Sequence, residues 1–211
     1  MGELEKGSEA QMSKKCFVVG LLFCLAAVSA AQAGLLASDP NGMVGFTGSM
    51  NFASGSMSAT VDYAVFSPGM YPNDFLTGKD PSNGTEYVYA YQVFPTGQDP
   101  ITVVSVGRIA PNVAHNAMVD ALHVTVGGVQ PSTWNVLSSS VFGTFMTPEL
   151  ESPAYSRVLL FTSLGAPGWA PGSVGNGGQS DQKTLPTPIP EPAGLLGMLA
   201  VGYGLLRRVR L

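Results

Sequence analysis

The chain has 211 residues, of which 45% are hydrophobic, 11% charged and 9% aromatic, which is room for one domain plus tails. Glycine (26) and proline (16) are abundant while charge is less than half the usual share, and this excludes a coiled coil, a helical repeat array and a charged disordered chain. A net charge of −4 gives no electrostatic reason to expect a nucleic-acid partner.

Residues 1–33 read as a secretory signal. Lys14 and Lys15 form a positive n-region, and Cys16 to Ser29 is an apolar run of 14 residues with no polar face, the length of an h-region. Ala31-Gln32-Ala33 then offers the small-x-small pattern that signal peptidase, with its narrow pocket, cuts after. The start is Met1 or Met12; the second opens a more typical signal. Both cysteines of the chain, Cys16 and Cys24, lie in this segment. After cleavage at Ala33 the protein therefore has no disulfide, no thiolate metal site and no cysteine nucleophile.

Residues 34–164 read as one all-β domain, an antiparallel β-sandwich-like body able to fold alone. It is acidic and sparsely charged: residues 34–189 hold four basic groups (Lys79, Arg108, Arg157, Lys183) against ten acidic ones. Met57, Ala59, Val61, Tyr63 and Val65 alternate with Ser58, Thr60 and Asp62, the period of a half-buried strand. Tyr87, Tyr89, Tyr91 and Val93 repeat the pattern, with Val88, Ala90 and Phe94 making the other face apolar too. Further strands are expected in 101–106, 122–126, 141–146 and 157–162, and one short helical turn in 110–121. Turn clusters separate them, among them Ser67-Pro68-Gly69, Asp80-Pro81-Ser82-Asn83-Gly84, Pro95-Thr96-Gly97 and Gly127-Gly128. Such spacing fits a sandwich.

Candidate chemistry in the body is thin. There is no nucleophile elbow, dinucleotide fingerprint, zinc helix or phosphate loop. His115 and His123 have no tight ligand spacing with a third group such as Asp120, so neither metal nor cofactor is expected. Asp74, Asp80 and Glu86 read as turn carboxylates rather than a calcium loop. A hydrolase needs a convergent acid pair, and the nearest, Glu149 with Glu151, shares a turn with Pro148 and Pro153. The tyrosine row 87, 89, 91 has two readings. It is a platform for stacking sugars of an extracellular polysaccharide, or it is sheet core with hydroxyls at the boundary, and Trp134 and Trp169 fit with either surface.

Residues 165–189 read by composition as a linker, flexible Gly/Ser passing into stiff alternating proline. Residues 190–211 then combine Pro190-Glu191-Pro192, an apolar run from Ala193 to Leu206 and the basic residues Arg207, Arg208 and Arg210. As helix the run spans about 21 Å against about 30 Å of hydrocarbon, short for a span, and the arginines favour keeping that end cytoplasmic.

This order, with Pro190, Glu191, Pro192, Ala193 and the three arginines as carrying residues, resembles the sorting tail of PEP-CTERM proteins of envelope-bearing bacteria. The likeness covers about the last 25 residues. It implies recognition by an exosortase, a membrane-embedded protease-transpeptidase, after export through the inner membrane. The tail is then either removed or kept as an anchor, and the protein ends at the cell surface or outside. The phrases VDYAVFSPG, TEYVYAYQVF and RVLLFTS also look like the bodies of such proteins, for which no activity is implied. The expected role is a non-enzymatic envelope or extracellular-matrix protein; the alternative is a carbohydrate-binding module or hydrolase.

Overall fold

The alternating segments form strands, and they pair by the registers their apolar sides require. The structure is a computed structural model, and it describes residues 36–72, 80–107, 114–119 and 128–189. The elements are a 3-10 turn (Leu36–Ser38), β1 (Thr47–Ser54), β2 (Met57–Phe66), β3 (Tyr87–Pro95), β4 (Val103–Val106), β5 (Ala114–Val119), β6 (Thr133–Val136), β7 (Val141–Thr144), β8 (Leu159–Ser163), β9 (Pro167–Gly175) and β10 (Ser180–Pro188). One five-stranded sheet runs β1-β2-β3-β8-β5 and the other β10-β9-β4-β7-β6. Every pairing within them is antiparallel. The all-β expectation holds, and the two sheets form a sandwich.

The core lies between the inner faces. Val61, Tyr63, Val65, Tyr89, Tyr91, Val93, Leu159 and Phe161 come from the first sheet, and Val104, Val106, Trp134, Val141, Val174 and Leu185 from the second. Each fully buried aliphatic or aromatic side chain here stabilises by about 1.5–3 kcal/mol relative to exposure. The first sheet is also covered outside, where Ala64, Phe66, Val88, Ala90 and Leu160 pack with Leu36 and Tyr71. That is why β3 is apolar on both sides. The second sheet faces water with paired hydroxyls: Ser105 and Ser173 lie 2.8 Å apart, and Thr133 and Thr144 lie 2.9 Å apart.

The sheet edges are closed by side chains. At one side Asp181 accepts the Ala53 N–H at 2.9 Å and Gln179 accepts the Met57 N–H at 3.4 Å, joining β10 to β1 and the start of β2. The Ala53 N–H in turn holds the Asp181 carboxyl below the usual carboxylate range. Across the sandwich the Trp134 indole donates to the Leu160 carbonyl at 2.7 Å, joining β6 to β8.

Three expectations are corrected. Residues 114–119, within the expected helical turn, form β5 against β8. The 165–189 linker is instead the β9–β10 hairpin, paired without a break from Pro167↔Pro188 to Gly175↔Ser180. The body therefore runs to residue 189 rather than ending at 164. The hairpin exists because its prolines sit where no ladder N–H is needed. Ile189 donates to the Ala166 carbonyl at 3.0 Å, which puts Thr187 and Leu185 in the bonded positions and turns the nitrogens of Pro186 and Pro188 away from β9. Its turn is local chemistry: the Asn176 side chain accepts from the Gly178 and Gln179 N–H groups, and Gly177 takes a φ of 84°.

The signal segment, the expected strand at 122–126 and the sorting tail lie outside the described residues. Among the described residues no helix is long and apolar enough to cross a membrane.

Candidate functional site

The tyrosine row is core. Tyr89 and Tyr91 have no exposed surface, while Tyr87 is half-buried. Phe161, on the neighbouring β8, stacks on both β3 rings, on Tyr89 with centroids 4.9 Å apart and on Tyr91 at 6.0 Å. The Tyr89 hydroxyl donates to the Gly165 carbonyl at 2.9 Å, and the Tyr91 hydroxyl donates to the Pro186 carbonyl. Pro186 turns that carbonyl away from β9, so the ladder leaves it an acceptor, and the tyrosine supplies the missing donor. Burial drives both phenol pKa values upward, with a neighbouring tyrosine adding to the effect. The sugar-stacking platform of Tyr87, Tyr89 and Tyr91 is thereby corrected: two of its three rings have no face open to a ligand.

The other singled-out residues are scattered. Asp80 is buried in a turn, where its carboxylate accepts the Ser82 N–H at 2.8 Å and the Ser82 hydroxyl at 2.6 Å. Glu149 and Glu151 are exposed on either side of buried Leu150, which bridges to Ile101. Both carboxylates are exposed to solvent. His115 sits on β5 opposite Thr162; Asp74, Asp120 and His123 lie outside the described residues. Among the described residues no group of three or more His, Cys, Asp or Glu side chains could hold a metal.

What the structure does assemble is an aromatic cluster at one end of the sandwich. Phe46 stacks on Trp169 at 5.7 Å, and Tyr63 meets the same indole edge-on at 5.8 Å. Trp169 remains 46% exposed. Tyr63 leans over Gly48, where any side chain would meet its hydroxyl at 2.9 Å and where φ is already +154°. The registers show which end this is. Thr47 opposes Ala64, Phe66 opposes Val88, Tyr87 opposes Ser163 and Pro167 opposes Pro188. The start of β1, end of β2, start of β3, end of β8, start of β9 and end of β10 thus meet at one pole, and the chain leaves it at residue 189.

Sequence reasoning named Trp169 without placing it and passed over Phe46 and Tyr63 as site residues. The three are far apart in sequence; the one local signal is an aromatic at residue 46 just before a strand, beside the freely turning Gly45. Comparison with family models, with curated proteins and with solved structures finds no match to this chain.

Proposed function

We propose that this is an exported envelope protein whose β-sandwich is delivered by its terminal segments and acts by surface presence or adhesion, without catalysis. Residues 190–211 are the sorting signal an exosortase-type membrane protease reads. Pro190 and Pro192 keep the peptide extended where an active site takes it as a strand, Glu191 supplies a recognition charge, and Arg207, Arg208 and Arg210 hold the far end at the cytoplasmic face. Signal peptidase acts first, after Ala33.

The observation that carries this reading is the order of Pro190-Glu191-Pro192, apolar run and arginine cluster in a chain that also opens with an n-region, an h-region and Ala31-x-Ala33. The described body adds one support: folded backbone continues to Ile189, directly before the motif. The motif is therefore the first stretch beyond the domain that a protease meets.

The test is the intact mass of the exported protein from cells that hold an exosortase. A product lacking the residues after the motif, with precursor accumulating in the inner membrane on Glu191→Ala, supports the reading. A mature form still ending at Leu211 makes the tail an anchor.

A further inference from the structure

The pole from which residue 190 departs is unusually apolar for a soluble surface. Val44 is 98% exposed, Leu164 64% and Ile189 44%, beside the half-open Trp169. Val44 tops the tight turn closed by the Phe46 N–H on the Met43 carbonyl at 2.9 Å, and Phe46 is the ring stacked under Trp169. The Ile189 side chain lies over Gly168, within 2.8 Å of where a Cβ would stand there. The segments 43–47, 163–169 and 186–189 around Trp169 contain no charged side chain, while Glu86, directly before β3, brings a carboxylate to the same end. An indole flanked by aliphatic groups matches the boundary between lipid headgroups and acyl chains.

We infer that this pole docks on the bilayer, Trp169 and Val44 entering the headgroup–acyl boundary of zwitterionic lipid while the tail is inserted. The inference rests on the sorting-tail reading and deepens it. Tether length carries the argument. With the 165–189 segment folded into the sandwich, only three residues, or four Cα–Cα steps, separate Ile189 from Ala193, where the apolar run begins. Those four steps reach about 12 Å as a proline-type helix and no more than about 14 Å fully extended. The headgroup layer takes up about 5–7 Å of that. The pole is consequently held within about 5–9 Å of the headgroups, so exposed apolar groups there meet lipid at high effective concentration. Attraction of this kind is apolar and insensitive to salt.

The experiment uses the full chain reconstituted in phosphatidylcholine vesicles with and without lipid brominated near the headgroup end of its chains. The emission of Trp169 is the difference between wild type and Trp169→Phe, since Trp134 is buried in both. Docking gives a blue-shifted Trp169 emission, at least about twofold quenched by bromolipid, and unchanged by salt. Val44→Asp puts a charge on a fully exposed site, so the fold stands; it should cut that quenching at least about twofold with an unaltered urea midpoint. Trp169 emission blind to bromolipid overturns the proposal, as does quenching indifferent to Val44→Asp. Protection of Trp169 by polysaccharide or by a second copy without vesicles also overturns it. Proteinase K digestion with mass spectrometry of the lipid-bound peptide reads the tail separately. If a peptide containing residues 193–206 is protected and Trp169 is unquenched, docking alone fails; if no such peptide is protected, both readings fail.

Discussion

The two sheets contribute to one core in opposite ways. The first supplies bulk: Tyr89, Tyr91, Phe52, Phe66, Phe161 and Met57 are fully buried, and the sheet is covered on both faces. The second supplies a thinner wall, mostly valines inward beside Trp134 and Leu185 and hydroxyl pairs outward, with glycine where a neighbour must lie flat. A Cβ on Gly143 would come within 2.7 Å of the Trp134 ring, and one on Gly172 within 2.6 Å of Leu185. Sheets packed about 10 Å apart cannot both present large side chains at one level, so bulk on one wall requires smallness on the other. The Gly- and Pro-rich strands are therefore the complement of the aromatic ones.

Removing the thin wall tests this most severely. Ending the chain at Leu164 deletes β9 and β10, strips β4 of one partner and empties the places of Val174 and Leu185. That protein should lack a cooperative urea transition and fall quickly to protease, whereas a chain through residue 189 should show one transition. Phe161→Ala, in the bulky wall, should lower stability by about 3–5 kcal/mol in urea unfolding, because the ring packs against both Tyr89 and Tyr91. Gly172→Ala adds a methyl against Leu185 and the Ser105 carbonyl, and should cost about 1–3 kcal/mol by the same measurement. If it is neutral, the thin wall has slack and the complementarity argument fails.

The smallest effect concerns the outer face of the first sheet. Asp62 is buried there and accepts the Ser49 hydroxyl at 2.5 Å; burial raises its carboxyl pKa above the usual value, the Ser49 bond opposing in part. The folded protein then binds a proton more readily than the unfolded chain. This contribution to stability is fully present below the ordinary carboxylate pKa of about 4 and is lost as pH rises through the raised value. The urea midpoint of Asp62→Asn should lack the part of the wild-type fall in that window, and identical pH profiles would remove Asp62 from the account.

Much of the bulky wall was legible. Alternation marked β2, and the apolar second face of β3 already pointed to a strand buried on both sides, which favoured the core reading of Tyr89 and Tyr91 over a sugar platform. The thin wall was not legible by composition. Pro171, Gly172, Pro186 and Pro188 have poor strand propensity, and their extended state depends on register and on the edge position of β10. The local clue was Asn176-Gly177-Gly178, a hairpin turn between two segments of matched length. The Trp169 cluster escaped for another reason: Phe46, Tyr63 and Trp169 are joined only by topology, so no spacing along the chain announces it.

The seam between Ala53 and Asp181 sets an order of events. It fastens the first strand of the body to the last, and β4, at residues 103–106, finds the second of its two partners only in β9, at 167–175. A chain emerging amino end first can pair β1, β2 and β3 early, but the first sheet waits for β8, at 159–163, and the second for β9 and β10. Most of the loop-closure entropy is met at that final step. Such a polypeptide stays threadable for almost its entire length and closes only on completion.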